Sequence, residues 1–266
     1  MTTQPLKLRA AALPAEHGGW ALVLEPIALG LLLAPSVAGL WISSAALSCF
    51  LARHPLKLAL GDRRRGRRLR RTALAERFAA GYAIVATVCF ALSISSGRKE
   101  FLIPILFAVP FMLVQLAYDA LGHSRKLLPE LAGAFGVGAI VTATTLARAW
   151  PKPSAYALWA IVAGRNIPTI LYLRTRLNLR RHGKTSANMP IAIVAQLTAL
   201  LIVALLSWWK LVPALAVLGF AILTIRAFIG LSRSKLAVAP KKLGIAEIAF
   251  GAFTVLTIAG GYLIRW

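Results

Sequence analysis

Apolar runs of about 17 to 25 residues recur along this 266-residue chain, and they end at clusters of charge or at proline and glycine breaks. Cutting at those points predicts nine spans: Gly18–Ala34, Ala38–Leu60, Ala73–Ser95, Phe101–Ala120, Leu127–Ala147, Ala155–Leu177, Met189–Trp208, Leu211–Leu231 and Gly244–Ile264. A helix needs roughly 20 residues to cross hydrocarbon, so the pattern predicts an all-α polytopic membrane bundle. Links such as 96–100 and 232–243 leave no room for a separate soluble domain. Residues 1–266 therefore read as one integral membrane domain, with a short basic segment at 1–17.

Composition agrees: 59% of residues are hydrophobic, 15% are charged, and mean hydropathy is +0.73. Lys and Arg number 31 against 8 Asp and Glu, a net charge of +23. In a soluble chain that excess points to nucleic acid. Here the basic residues sit in short loops beside spans, with no aromatic interleaving, which excludes a nucleic-acid partner and points to anionic membrane lipids. They also alternate. The N-terminal segment, 63–71, 125–126, 174–184 and 233–242 are rich in Lys and Arg, while the links between them are poor. The positive-inside rule then places the N-terminus in the cytoplasm and the C-terminus outside, in a cell's inner (plasma) membrane. The seven tryptophans lie mostly near span ends, as an interfacial belt requires. Cys49 and Cys89 lie in separate apolar runs, a spacing that indicates neither a disulfide nor a thiolate metal site. The first apolar stretch carries Glu25 at its middle, unlike the core of a signal peptide.

Two stretches break the apolar pattern in the same way. RHPLKLALGDRRRGRRLRR, from Arg53 to Arg71, puts Arg53, His54, Pro55 and Lys57 inside the second span, then runs through Asp62 into seven arginines. RNIPTILYLRTRLNLRRHGK, from Arg165 to Lys184, repeats the plan with Arg165, Asn166 and Pro168. Arg53 and Lys57 share a helix face, and Arg165, Thr169, Tyr172, Arg176 and Arg180 form one polar stripe. Arg53 and Arg165 lie about eight to twelve residues inside their basic loops, roughly 12 to 18 Å at 1.5 Å per residue, deeper than a snorkelling arginine reaches comfortably. Ionisable groups inside a bilayer are costly, so two matched sets predict the lining of one site, a basic cavity open to the cytoplasm.

Other candidates join them. LPAEHGGW, Leu13 to Trp20, places Glu16 and His17 at the mouth of the first span. Glu25, eight residues further on, falls on about the same face and requires a cation such as Arg53, Lys57 or Arg165. YDALGHSRKLLPELAG, Tyr118 to Gly133, adds Asp119 as a base or ion-pair partner, with His123, Arg125, Lys126 and Glu130 nearby. The histidines at 17, 54, 123 and 182 lack metal-ligand spacing, so no metal site is expected, and no phosphate-binding loop, dinucleotide fingerprint or nucleophile elbow occurs.

LPAEHGGW, the apolar span after it and HPLKLALGDRRRG resemble the YwiC-like family of bacterial membrane proteins, over most of the chain. That likeness carries no particular activity. More distantly, the layout is similar to the UbiA superfamily of intramembrane prenyltransferases, with nine helices, a cytoplasmic N-terminus and polar motifs after the second and sixth helices. The resemblance aligns LGDRRRG, Leu60 to Gly66, with a first Asp-rich motif and LRTRLNLRRHGK, Leu173 to Lys184, with a second. Tyr118, Arg125, Lys126, Pro129 and Glu130 echo further elements. Such enzymes hold Mg²⁺ on those aspartates against an isoprenoid diphosphate, but this chain keeps Asp62 alone in the first motif and Asn178 in the second. Arginine cannot ligate a cation, yet it pairs directly with phosphate.

The leading expectation is thus a UbiA-like fold that binds an anionic amphiphile such as an isoprenoid diphosphate, with Mg²⁺ dependence open. Its head would sit among His17, Glu25, Arg53, His54, Lys57, Arg165, Asn166, Tyr172 and Arg176, with Asp62 or Asp119 as catalytic proton acceptor for any prenyl transfer. The alternatives are an anion carrier or channel and a structural protein gripping anionic lipid.

Overall fold

A computed structural model describes residues 12–14, 17–66, 69–182, 189–232 and 240–264, and these are all-α, with no strand among them. The helices are α1 (His17–Leu33), α2 (Val37–Arg64), α3 (Arg70–Ser96), α4 (Leu102–Ala120), α5 (Leu127–Gly136), α6 (Ala139–Ala147), α7 (Lys152–His182), α8 (Met189–Trp208), α9 (Ala214–Ser232) and α10 (Pro240–Leu263). A 3-10 turn at Lys99–Phe101 leads into α4. Six segments are long and apolar enough to cross a membrane: 70–96, 99–120, 127–147, 189–208, 214–232 and 242–263. The helix at 17–33 is apolar but shorter. α2 and α7 are the longest helices and carry the charges singled out above. The protein is a multi-pass membrane protein.

Local chemistry explains the ends. Ser36 caps α2, its Oγ accepting the Gly39 N–H at 3.0 Å. At α3 the Thr72 hydroxyl accepts the Leu69 N–H at 3.2 Å. Pro26, Pro55 and Pro168 sit inside α1, α2 and α7 without ending them, as packed helices in lipid allow.

The run expected as one span at Leu127–Ala147 is two helices that meet near Val137 and Gly138. A side chain at Gly138 would strike the indole of Trp159, whose Nε1 instead donates to the Phe135 carbonyl at 2.8 Å. The indole fills the break and shares the Phe135 carbonyl with the Gly138 N–H, which donates to it at 3.1 Å.

α6 is the centre. It packs against α1, α2, α4 and α7, and every residue from Val141 to Ala147 is buried. Its hydroxyls stay within the fold: Thr142 donates to the Ala155 carbonyl at 3.0 Å and Thr145 to that of Val141 at 2.9 Å. Around it Leu29, Val141, Leu158, Ile161, Val203, Phe220 and Ile258 form the largest core cluster, drawn from six helices. α10 returns to pack on α1 and α9. Outward faces stay apolar, with Leu106, Phe107, Val194, Leu201 and Leu256 all exposed. A soluble protein would not leave such a surface to water, and lipid tails match it.

Candidate functional site

One end of the bundle holds Arg53, Arg64, Arg71 and Arg174. Arg53 of α2 grips Asp119 of α4 in two hydrogen bonds, Nε to Oδ2 at 2.5 Å and Nη2 to Oδ1 at 3.1 Å. The carboxylate is 1% exposed and the guanidinium 34%. Nine residues further along α2, Asp62 is held the same way by Arg71 of α3, at 3.0 and 2.6 Å, and takes a third bond from the Thr72 hydroxyl at 2.8 Å. The Arg71 hydrogen bond holds the Asp62 carboxyl below its usual range, with Thr72 adding to the effect. Arg64 donates to the Ala120 carbonyl at 2.7 Å, and Arg174 of α7 reaches Glu130 at 2.9 Å. These bonds tie α2, α3, α4, α5 and α7 together at their basic ends.

A second group lies midway along α7. Arg165 is 4% exposed and sits roughly 20 Å from the Lys152 end of its helix at 1.5 Å per residue. Its Nη1 donates to Thr169, one turn on. Its Nη2 faces α10, 3.1 Å from the Glu247 carbonyl and 3.4 Å from the Glu247 carboxylate, and lies 3.6 Å from Glu25 of α1. Glu247 also takes a hydrogen bond from Arg226 of α9. The Arg226 guanidinium stacks on Tyr172 at 4.4 Å and lies 5.1 Å from the Phe250 ring. Glycines admit these groups: a Cβ at Gly251 would overlap the Glu25 carboxylate, and one at Gly230 the Tyr172 hydroxyl. The quartet Glu25, Arg165, Arg226 and Glu247 is neutral when both acids are ionised.

Three nitrogens in this group are buried with no acceptor among the described residues, Arg165 Nε and Arg226 Nε and Nη2, and so is Nδ2 of Asn166, the next residue along α7. Stacking covers the faces of the Arg226 guanidinium and leaves that part of its edge without a partner. Unmatched donors at such depth are costly.

The residues named from sequence therefore gather in two groups. Arg53, Asp119 and Asp62 belong to the basic end; Glu25, Arg165 and Tyr172 belong to the interior group, Asn166 is buried next to Arg165 in sequence, and Arg176 bonds the Gly230 carbonyl at 2.5 Å. Of the three cations expected for Glu25, Arg165 is the one it meets. His54 and Lys57 are half-buried on α2, and Lys57 makes no ion pair among the described residues. Glu16 lies outside the described residues, as do Arg67, Arg68 and the side chains of His17 and Arg180. Sequence reasoning missed Arg226 and Glu247. Each is a charge within an otherwise apolar run, the same signal that drew attention to Glu25.

All described carboxylates are matched to arginines: Glu25, Asp62, Glu76, Glu100, Asp119, Glu130 and Glu247. No cluster of three or more His, Cys, Asp or Glu exists among the described residues. The donor set does not fit a Mg²⁺–diphosphate site of the Asp-rich kind, because Asp62 is already saturated by Arg71 and Thr72. At the opposite end a groove of about 500 Å³, lined by Ala204, Ser207, Trp208, Lys210 and Val217, is remote from both groups.

Apolar helices around buried ion pairs define a polytopic membrane protein with charge locked inside its bundle. The chain belongs to the YwiC-like protein family, whose pattern matches residues 13–145, half of its length, rather than most of the chain as the motifs suggested. That region holds the LPAEHGGW segment, Glu25 and the Arg53–Asp119 pair, and stops short of Arg165. No curated protein and no solved structure matches the chain.

Proposed function

We propose that this protein binds an anionic amphiphile in the membrane, with a phosphate-type head against Arg165, Arg226 and Asn166 and its tail among the apolar helices. The observation that carries the reading is the set of buried N–H nitrogens without acceptors in the interior group. An anion's oxygens supply what those nitrogens lack, and arginine suits phosphate because its planar fork can donate two parallel bonds. Nine crossings with the N-terminus in the cytoplasm, in a bacterial inner membrane, would place the basic end where it gathers anions by long-range attraction. Lys57 and the unpaired basic residues there serve as that attracting surface.

An isoprenoid diphosphate is the amphiphile to test first. Binding has more support than prenyl transfer: a proton acceptor is needed for transfer, and Asp62 and Asp119 are both held by arginine. Titrating purified protein with prenyl diphosphates of increasing chain length, and assaying pyrophosphate release with and without Mg²⁺, separates the two. Arg226→Gln is expected to weaken binding by tenfold or more, the worth of about 1.4 kcal/mol. Absence of binding at every chain length ends the reading.

An anion carrier is the second reading, favoured by the interior group's place between α1, α7, α9 and α10, away from either end. Flux of a labelled anion across proteoliposomes distinguishes it from binding alone.

A further inference from the structure

Glu25 and Glu247 are not held alike. Glu247 is fixed by Arg226 and by Arg165, which contacts both its carboxylate and its backbone carbonyl. Among the described residues Glu25 has one ion pair, at 3.6 Å, longer than a hydrogen bond. It is also the more exposed of the two acids, 12% against 7%. On its α10 side stands Gly251, with no side chain. Pro26 follows it directly and removes one bond from the α1 ladder, which loosens the turn that holds it. Glu25 is the carboxylate most readily displaced from Arg165.

The groups around Glu25 are few. α7 contributes Arg165, α10 contributes Glu247, and Arg226 of α9 stands behind Glu247. α6 carries no ionisable residue. α2 carries Arg53, His54 and Lys57, and Arg53 is turned to Asp119. With both acids ionised the quartet is neutral, so an anion that enters leaves an uncompensated negative charge in a poorly solvated interior. Such a charge is strongly disfavoured unless something neutralises it. A proton on Glu25 does so.

Building on the reading above, we infer that anion binding at Arg165 and Arg226 displaces the Glu25 carboxylate, which takes up one proton as the anion becomes the counterion of Arg165. The proton comes from water and ends on a Glu25 carboxyl oxygen. No bond to the anion forms or breaks, and the proton offsets one of the negative charges that a diphosphate head brings into the site. The protein then couples the uptake of one anion to the uptake of one proton.

The test uses purified full-length protein in weakly buffered detergent, with geranyl diphosphate and inorganic pyrophosphate as probes. A pH-sensitive dye reads proton uptake, and calorimetry reads affinity from pH 5.5 to 8.5. Wild type is expected to take up about one proton more per bound probe than Glu25→Gln does, a difference that cancels titration of the probe itself. Wild-type affinity should fall about tenfold per pH unit relative to the variant where Glu25 is ionised in the free protein. Glu25→Gln should bind with affinity that follows only the probe's own titration. Should that variant not fold, excess uptake is judged in wild type alone, against the probe's own titration curve in buffer. Binding without excess proton uptake overturns the coupling and leaves the binding reading standing. No binding of either probe overturns both. An amphiphile that binds where pyrophosphate does not locates the source of the anion in lipid, and the coupling is then judged on that probe.

Discussion

The guanidinium of Arg226 lies over the ring of Tyr172, 4.4 Å from its centroid, while the same group donates to Glu247. Tyr172 comes from α7, Arg226 from α9 and Glu247 from α10, so one cation joins three helices. The ring does part of what a second carboxylate would do, without adding charge.

A desolvated cation over an aromatic face contributes about 2 kcal/mol. Tyr172→Leu removes that face and is expected to lower thermal stability in detergent by that order. Tyr172→Phe keeps it and should remain close to wild type. Equal losses in both variants would assign the effect to the hydroxyl beside Gly230 and not to the ring.

The Arg53–Asp119 pair is asymmetric, and its two truncations should differ. Arg53→Ala strands a carboxylate that is 1% exposed, whereas Asp119→Ala leaves an arginine already one-third exposed and able to reach water. The first is expected to cost about 3–5 kcal/mol, the second on the order of 1 kcal/mol. Adding Asp119→Asn to Arg53→Ala should recover part of the loss by removing the stranded charge. Unfolding midpoints of the three variants check the order.

Asp62 gives a pH dependence with a defined sign. Its carboxyl is held below its unfolded value chiefly by the Arg71 hydrogen bond, so its contribution is complete above an unfolded value of about 3.9. That contribution is lost as pH falls through the lower, folded value. Wild type should therefore exceed Asp62→Asn in stability at pH 6 and lose that lead progressively toward pH 3. A lead that does not change with pH would show that Arg71 does not discriminate the ionised form.

Much of the fold was legible because lipid allows few solutions. Helices fall on each of the nine expected runs, since a backbone in hydrocarbon has to satisfy itself locally, although six segments, not nine, are long and apolar enough to cross a membrane and the run at 127–147 is two helices. The break at Gly138 was not legible: it depends on Trp159, a residue of the next helix, filling the gap. The stripe from Arg165 through Thr169 and Tyr172 to Arg176 was legible, because helical spacing alone puts those positions on one face. Its partners were not. Arg226 and Glu247 are single charges on separate helices, and their convergence is a matter of tertiary packing that no local pattern encodes. Spacing from the basic loops drew Arg53 and Arg165 into one expected site; which acid each pairs with, Asp119 for one and Glu25 and Glu247 for the other, was not legible.

The contact between Gly251 and Glu25 can be isolated by a mutant cycle. A Cβ at position 251 would overlap the Glu25 carboxylate, so Gly251→Ala has to push that side chain away from Arg165. The displacement itself is easy for a flexible glutamate, but it removes the ion pair with Arg165, and a loss of about 1–3 kcal/mol is expected for an insertion of this kind. In a Glu25→Ala background the three atoms nearest that methyl group, Oε1, Cδ and Cγ of Glu25, are gone and the same substitution should cost less. Groups in contact couple by about 0.5–3 kcal/mol, so the difference between the two backgrounds is measurable by thermal or denaturant unfolding in detergent. An equal cost in both would mean that α1 does not bring Glu25 against α10 at Gly251, and the placement of Glu25 beside Arg165 would fall with it.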